Sequence, residues 1–304
     1  KVMRIGENGD RLTISCDKFK LEEPAACKQG LHLLSKRLSM LGAGNIVVEK
    51  GRVDADVQVS KTSPRDFSAT LLKRGAKERI TGKRLEQAYV LESRAGSHGR
   101  GSVHIRACSD LGIFYGLLSL CQLVERYAEG DICVPAVKVA DWPEIGLRLA
   151  KTSASTLPLP DLRNFATWMP LFKINLMGLQ YHGTNSHQPG PFVENVQAIC
   201  SQARRVGILE TVVYFCPFRG NGYDFNSSAD RRKYALFLQW MLDQGAHGIE
   251  VDYNDWAGKG TPIEDVINLA CRAVAEKNPQ AYLLYCPPSR GSSVYRGPAS
   301  VEMT

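Results

Sequence analysis

The residues best suited to chemistry stand in one stretch, His247-Gly248-Ile249-Glu250-Val251-Asp252-Tyr253-Asn254-Asp255-Trp256. A short apolar strand runs there into carboxylates and amides and stops at Ala257-Gly258-Lys259-Gly260. A carboxyl group can give and take a proton, whereas a side-chain amide can orient a partner by hydrogen bonds without carrying charge. Asp255 is therefore the candidate general acid/base and Asn254 the candidate orienting group. Asp252 precedes Asn254 by two residues, which on a strand places both on one face, so it is the candidate second carboxylate. Tyr253 and Trp256 flank the pair. Tyr181 and Trp256 offer aromatic faces for stacking, and His182 follows directly on Tyr181. Asn221, with Tyr223 and Asp224, sits in a glycine-containing loop.

Other chemistries lack their residues. Gly42-Ala43-Gly44 follows a helix rather than a strand, the wrong setting for a dinucleotide-binding turn. No Gly-X-Ser-X-Gly nucleophile elbow occurs. Nine cysteines (positions 16, 27, 108, 121, 133, 200, 216, 271 and 286) include no Cys-X-X-Cys, and no Cys/His spacing fits zinc. Most lie in apolar segments, as reduced core thiols do.

A parallel sheet positions the carboxylate stretch. After Asp141-Trp142-Pro143 the chain alternates strand and helix about every 30 residues, the period of a βα repeat. Strands are predicted over 147–155, 174–181, 209–215, 248–253 and 281–285, and helices over 162–172, 192–206, 229–244 and 263–276. Each strand ends in polar or kinked chemistry: Lys151–Ser155, Tyr181–Asn185, Pro217–Asn221, Asp252–Asp255 and Cys286–Arg290. In α/β enzymes, the carboxyl ends of such strands hold the reacting groups. A closed (β/α)8 barrel needs about 250 residues, so residues 141–304 predict first the amino-terminal part of a TIM barrel, cut short after about five strands, with an open sheet or a barrel completed by a partner as the alternatives. Residues 1–140 read differently, as an α+β unit. They hold short alternating strands over 11–15, 45–49, 55–59, 88–92 and 102–106, a helix over 25–41, and an apolar, buried helix over 110–124.

Bulk properties narrow the class. An apolar content of 44% and a charged content of 23% are those of an ordinary globular protein, and no uncharged apolar run approaches the ~18 residues of a membrane span. Residues 1–140 carry 23 Lys and Arg against 16 Asp and Glu, a net +7, while residues 141–304 carry 15 of each. The basic residues are spread along the chain with no basic helix and no interleaved aromatics, which predicts a solvated surface and no nucleic-acid or membrane partner. The sequence opens at Lys1, so a processed or excised segment is expected and the missing leader decides nothing.

Several segments resemble glycoside hydrolase family 84, the O-GlcNAcases and bacterial β-N-acetylglucosaminidases. The likeness is carried by Ile105-Arg-Ala-Cys-Ser-Asp-Leu-Gly-Ile-Phe-Tyr-Gly-Leu-Leu-Ser-Leu-Cys-Gln-Leu123, by Val134-Pro135, and by Asp141-Trp-Pro-Glu-Ile-Gly-Leu-Arg148. Ile174-Asn175, Arg205-Val-Gly207 and Tyr282-Leu-Leu-Tyr-Cys-Pro287 extend it. The resemblance implies a non-catalytic α+β domain over 1–140, as also precedes family 20 barrels, and a catalytic-type barrel over 141–304. Where that family ends its fourth strand in two aspartates, this chain has Asn254 and Asp255. The implied reaction is substrate-assisted hydrolysis with retention, without cofactor or metal, on a glycan or glycoconjugate bearing N-acetylglucosamine, in a bacterial, secreted or periplasmic protein. In it Asn254 orients the sugar's acetamido group and Asp255 is the proton donor. Tyr181, His182, Asn221, Tyr253 and Trp256 are the expected sugar contacts. Two departures stand out: Asn254 carries no charge, and Lys151-Thr-Ser-Ala-Ser155 replaces the family's glycine- and aromatic-rich loop. They leave open a glycosidase of altered substrate using Asp252 and Asp255 as a pair, and an inactive barrel that only binds glycans.

Overall fold

The computed structural model describes residues 2–6, 12–17, 25–43, 46–50, 56–95, 101–126, 132–153, 157–181, 191–205, 208, 210–217, 223–252, 263–286 and 294–298. Its contacts divide the chain into two compact units, Lys1–Gly146 and Leu147–Thr304.

The first unit contains β1 (Val2–Gly6), β2 (Leu12–Asp17), α1 (Ala25–Met40), β3 (Ile46–Lys50), β4 (Val57–Lys61), α2 (Pro64–Lys73) and α3 (Gly82–Gln87). It continues with β5 (Tyr89–Ala95), β6 (Gly101–Ala107), α4 (Asp110–Leu123), β7 (Glu125–Arg126), β8 (Ile132–Pro135) and β9 (Lys138–Asp141). Six strands form one sheet in the order β3-β2-β4-β6-β5-β9, parallel from β3 to β6 and antiparallel at β5 and β9. A small antiparallel sheet joins β1, β8 and β7. Val57, Val59, Val103 and Ile105 alternate with polar residues and are buried, as are Ile113, Phe114, Leu117, Leu118 and Leu120 of α4. That alternation is what a strand buried on one face requires. Ser63 and Ser109 cap α2 and α4 by accepting the backbone N–H of Asp66 (3.2 Å) and Gly112 (3.0 Å). Because β9 pairs with β5, Asp141 belongs to this unit's sheet. The helices α2 and α3 were not predicted. Both are short, and α2 begins at Pro64, where a missing N–H costs nothing.

The second unit follows the βα repeat. Its elements are β10 (Leu149–Ser153), α5 (Leu159–Trp168), β11 (Leu176–Tyr181), α6 (Pro191–Arg205), β12 (Glu210–Phe215) and α7 (Ser228–Asp243), then β13 (Gly248–Asp252), α8 (Ile263–Lys277), β14 (Tyr282–Cys286) and β15 (Val294–Pro298). Strands β10 to β14 are parallel, in chain order. Between them and the helices lies a core that includes Met177, Leu179, Val213, Ile249, Val251 and Leu283 with Leu162, Ile199, Phe237 and Ile267.

Three expectations are corrected. The helix predicted over 162–172 runs from Leu159 to Trp168 and gives way to a 3-10 turn, Met169–Phe172, because Pro170 has no N–H for a further α turn. The second strand opens at Leu176, not Ile174. Lys173 adopts a left-handed conformation (φ 57°), and the Asn175 side chain instead accepts the Arg148 N–H (2.8 Å). Finally, β15 pairs antiparallel with β14, which a βα repeat does not predict. Among the described residues the second unit's strands form one six-stranded sheet, parallel over its first five strands.

Candidate active site

The site is assembled on the sheet face that points away from the helices. Alternation along β13 sends Ile249 and Val251 to the helix layer and leaves Gly248, Glu250 and Asp252 on the other face. In register, Leu149 lies level with Leu176; Lys151 with Gly178, Val212, Gly248 and Tyr282; and Ser153 with Gln180, Glu250 and Leu284. Asp252 lies one step further on, level with Cys286. This face is mixed. Leu176, Val212, Tyr282 and Leu284 make a small apolar core with Leu147 and Leu149, while Lys151 stands level with Val212 and Tyr282, Gln180 and Glu250 stand level with Leu284, and Asp252 lies beyond them.

Both acids on β13 are buried: Glu250 is 0% exposed and Asp252 4%. A carboxylate removed from water is costly unless it meets a cation or donors. Glu250 meets the Lys151 ammonium, 99 residues earlier in the chain, in an ion pair between Nζ and Oε1. To reach it, Lys151 crosses β11 and β12, and the crossing is open because β11 carries Gly178 at that level. A Cβ there would come within 2.8 Å of the Lys151 Cγ and 3.1 Å of the Leu149 Cδ1. Gly248 does the same for the backbones: a Cβ would lie 2.5 Å from the Tyr282 carbonyl oxygen, so β13 and β14 approach only without one. Lys151 keeps 35% of its side chain in solvent, so the pair joins a sealed carboxylate to an ammonium at the edge of the site.

At the opposite, amino end of β13 the groups are structural. The His247 Nδ1 accepts the Thr211 N–H (3.2 Å), which places its proton on Nε2 when neutral. Burial, reinforced by the Arg204 charge, holds its pKa below the ordinary value of 6.5. The Cys200 thiol and Thr211 hydroxyl are 3.2 Å apart, and burial pushes the thiol pKa up.

Of the residues proposed from sequence, Asp252 is placed on this face at the end of β13, and Tyr181 closes β11 opposite Phe215. His182, Asn221, Tyr253, Asn254, Asp255 and Trp256 lie outside the described residues. The loop residue Tyr223, joined to the Asn221 proposal, is buried in an aromatic cluster, its ring centroid 5.4 Å from that of Tyr234 and 6.2 Å from that of Phe225. Glu250 and Lys151 were missed. A signal existed, since a charge at alternate positions of an otherwise apolar strand marks a polar inner face. Nothing in sequence spacing joins positions 151 and 250.

No family model matches this sequence, and no curated protein matches it by sequence. Solved structures do share its fold. The chain superposes on CpGH84B with a TM-score of 0.63 at 14% identity, covering 95% of this chain and 48% of that one. For the Flavobacterium johnsoniae chitobiase FjGH20 the values are 0.62, 13%, 91% and 48%. For the β-N-acetylhexosaminidase of Bacteroides fragilis they are 0.60, 14%, 97% and 67%. The chain spans about half the length of the first two. It has the α/β fold shared by glycoside hydrolases of families 20 and 84. Both families appear at similar identity, so the fold does not choose between them, where the sequence resemblance pointed to family 84 with a first domain of the type that family 20 shares.

Proposed function

We propose that this protein is a retaining β-N-acetylhexosaminidase working by substrate assistance, acting on glycans or glycoconjugates that end in N-acetylglucosamine and located outside the cytoplasm, secreted or periplasmic. The observation that carries the reading is the buried Glu250–Asp252 ladder on the inner face of β13, leading at a spacing of two to Asn254 and then Asp255. The shared fold with enzymes named chitobiase and β-N-acetylhexosaminidase supports it. In this mechanism the acetamido oxygen of the substrate attacks the anomeric carbon as the bond to the leaving oxygen breaks, and Asp255 protonates that oxygen. Asp255 then takes a proton from water, which opens the ring intermediate with overall retention. Asn254 orients the acetamido group by accepting its N–H, but it offers no charge to the cationic intermediate. Lys151 and Glu250 pair with one another, and Asp252 lies one step further toward the carboxyl end of β13, the position from which we assign it to stabilise that cation.

The decisive experiment is hydrolysis of an aryl N-acetylglucosaminide by the full-length protein. Asn254→Asp is expected to raise the rate, and Asp255→Ala to abolish it. The burial of Asp252 on the inner face also favours a second reading, in which Asp252 and Asp255 act as an acid/base pair on another sugar. Under that reading Asn254→Asp gives no gain, and Asp252→Asn is as damaging as Asp255→Ala. Glycan binding with no hydrolysis in any variant would leave a binding module.

A further inference from the structure

We draw no further inference here: the strongest candidate, the aromatic patch of Phe165, Trp168 and Phe172 on α5 and the 3-10 turn that follows it, with Trp168 and Phe172 open to solvent, carries nothing because nothing in the structure shows what covers it.

Discussion

At the scale of single residues, the ion pair between Lys151 and Glu250 is the sharpest feature of the inner face. Replacing Lys151 by Met removes the cation beside a fully buried carboxylate, and the expected cost is on the order of 3 kcal/mol in urea unfolding, moderated by the third of Lys151 that remains in water. Adding Glu250→Leu is expected to recover most of that loss, because an apolar pair of similar size needs no compensating charge. Recovery of stability without recovery of hydrolysis would assign the pair to function. His247 makes a pH prediction. Its native pKa lies below 6.5, so the unfolded chain binds the proton more tightly. The stability contributed by the neutral ring is then complete above about pH 6.5 and is lost as the pH falls toward the lower native value. The urea midpoint is expected to drop more between pH 7.5 and 5.5 in the parent than in His247→Gln. Equal drops would remove His247 as the cause.

At the scale of elements, β13 holds the site because it is buried on both faces and flanked closely. Its register with β14 depends on Gly248, where an added methyl meets the Tyr282 carbonyl oxygen at 2.5 Å and Cα at 2.9 Å, both backbone. At Gly178 the nearest atom is a lysine side-chain carbon, which can turn aside. Gly248→Ala is therefore expected to destabilise by about 3 kcal/mol, and Gly178→Ala by about 1 kcal/mol, bracketing the usual range for overpacking. Chemical denaturation of the two variants checks the order. The βα alternation and most of these strands were legible in sequence because an apolar run bounded by polar turns repeats every ~30 residues. The second strand's start and the break in the first helix were not. They depend on a left-handed Lys173, on Pro170, and on an Asn175 side chain that replaces a ladder hydrogen bond. The strand at Val294–Pro298 also escaped notice, since its pairing with β14 is a tertiary contact.

At the scale of the whole molecule, the two units carry separate cores. Residues 1–146 expressed alone are expected to unfold in a single cooperative transition with native-like circular dichroism, as a domain with its own core does. A non-cooperative transition would show that the division by contacts is not a division of stability. Charge is also distributed by unit. The net +7 of residues 1–140 is spread along the chain, and folding brings Arg74, Arg94 and Arg106, each still partly in solvent, onto one carboxylate.

The sequence by itself determined the alternation of buried and exposed positions, the βα period, and an acidic stretch at a strand's end. These are local properties, set by side-chain periodicity and turn chemistry over a few residues. Only the tertiary structure decided which charges meet. Position 151 reaches 250 because parallel register and a missing side chain at Gly178 open a path between them. Three arginines from separate segments share Glu92 because β5 and β6 pair antiparallel while α2 ends beside them. Such meetings depend on register and layer order, which no spacing along the chain records.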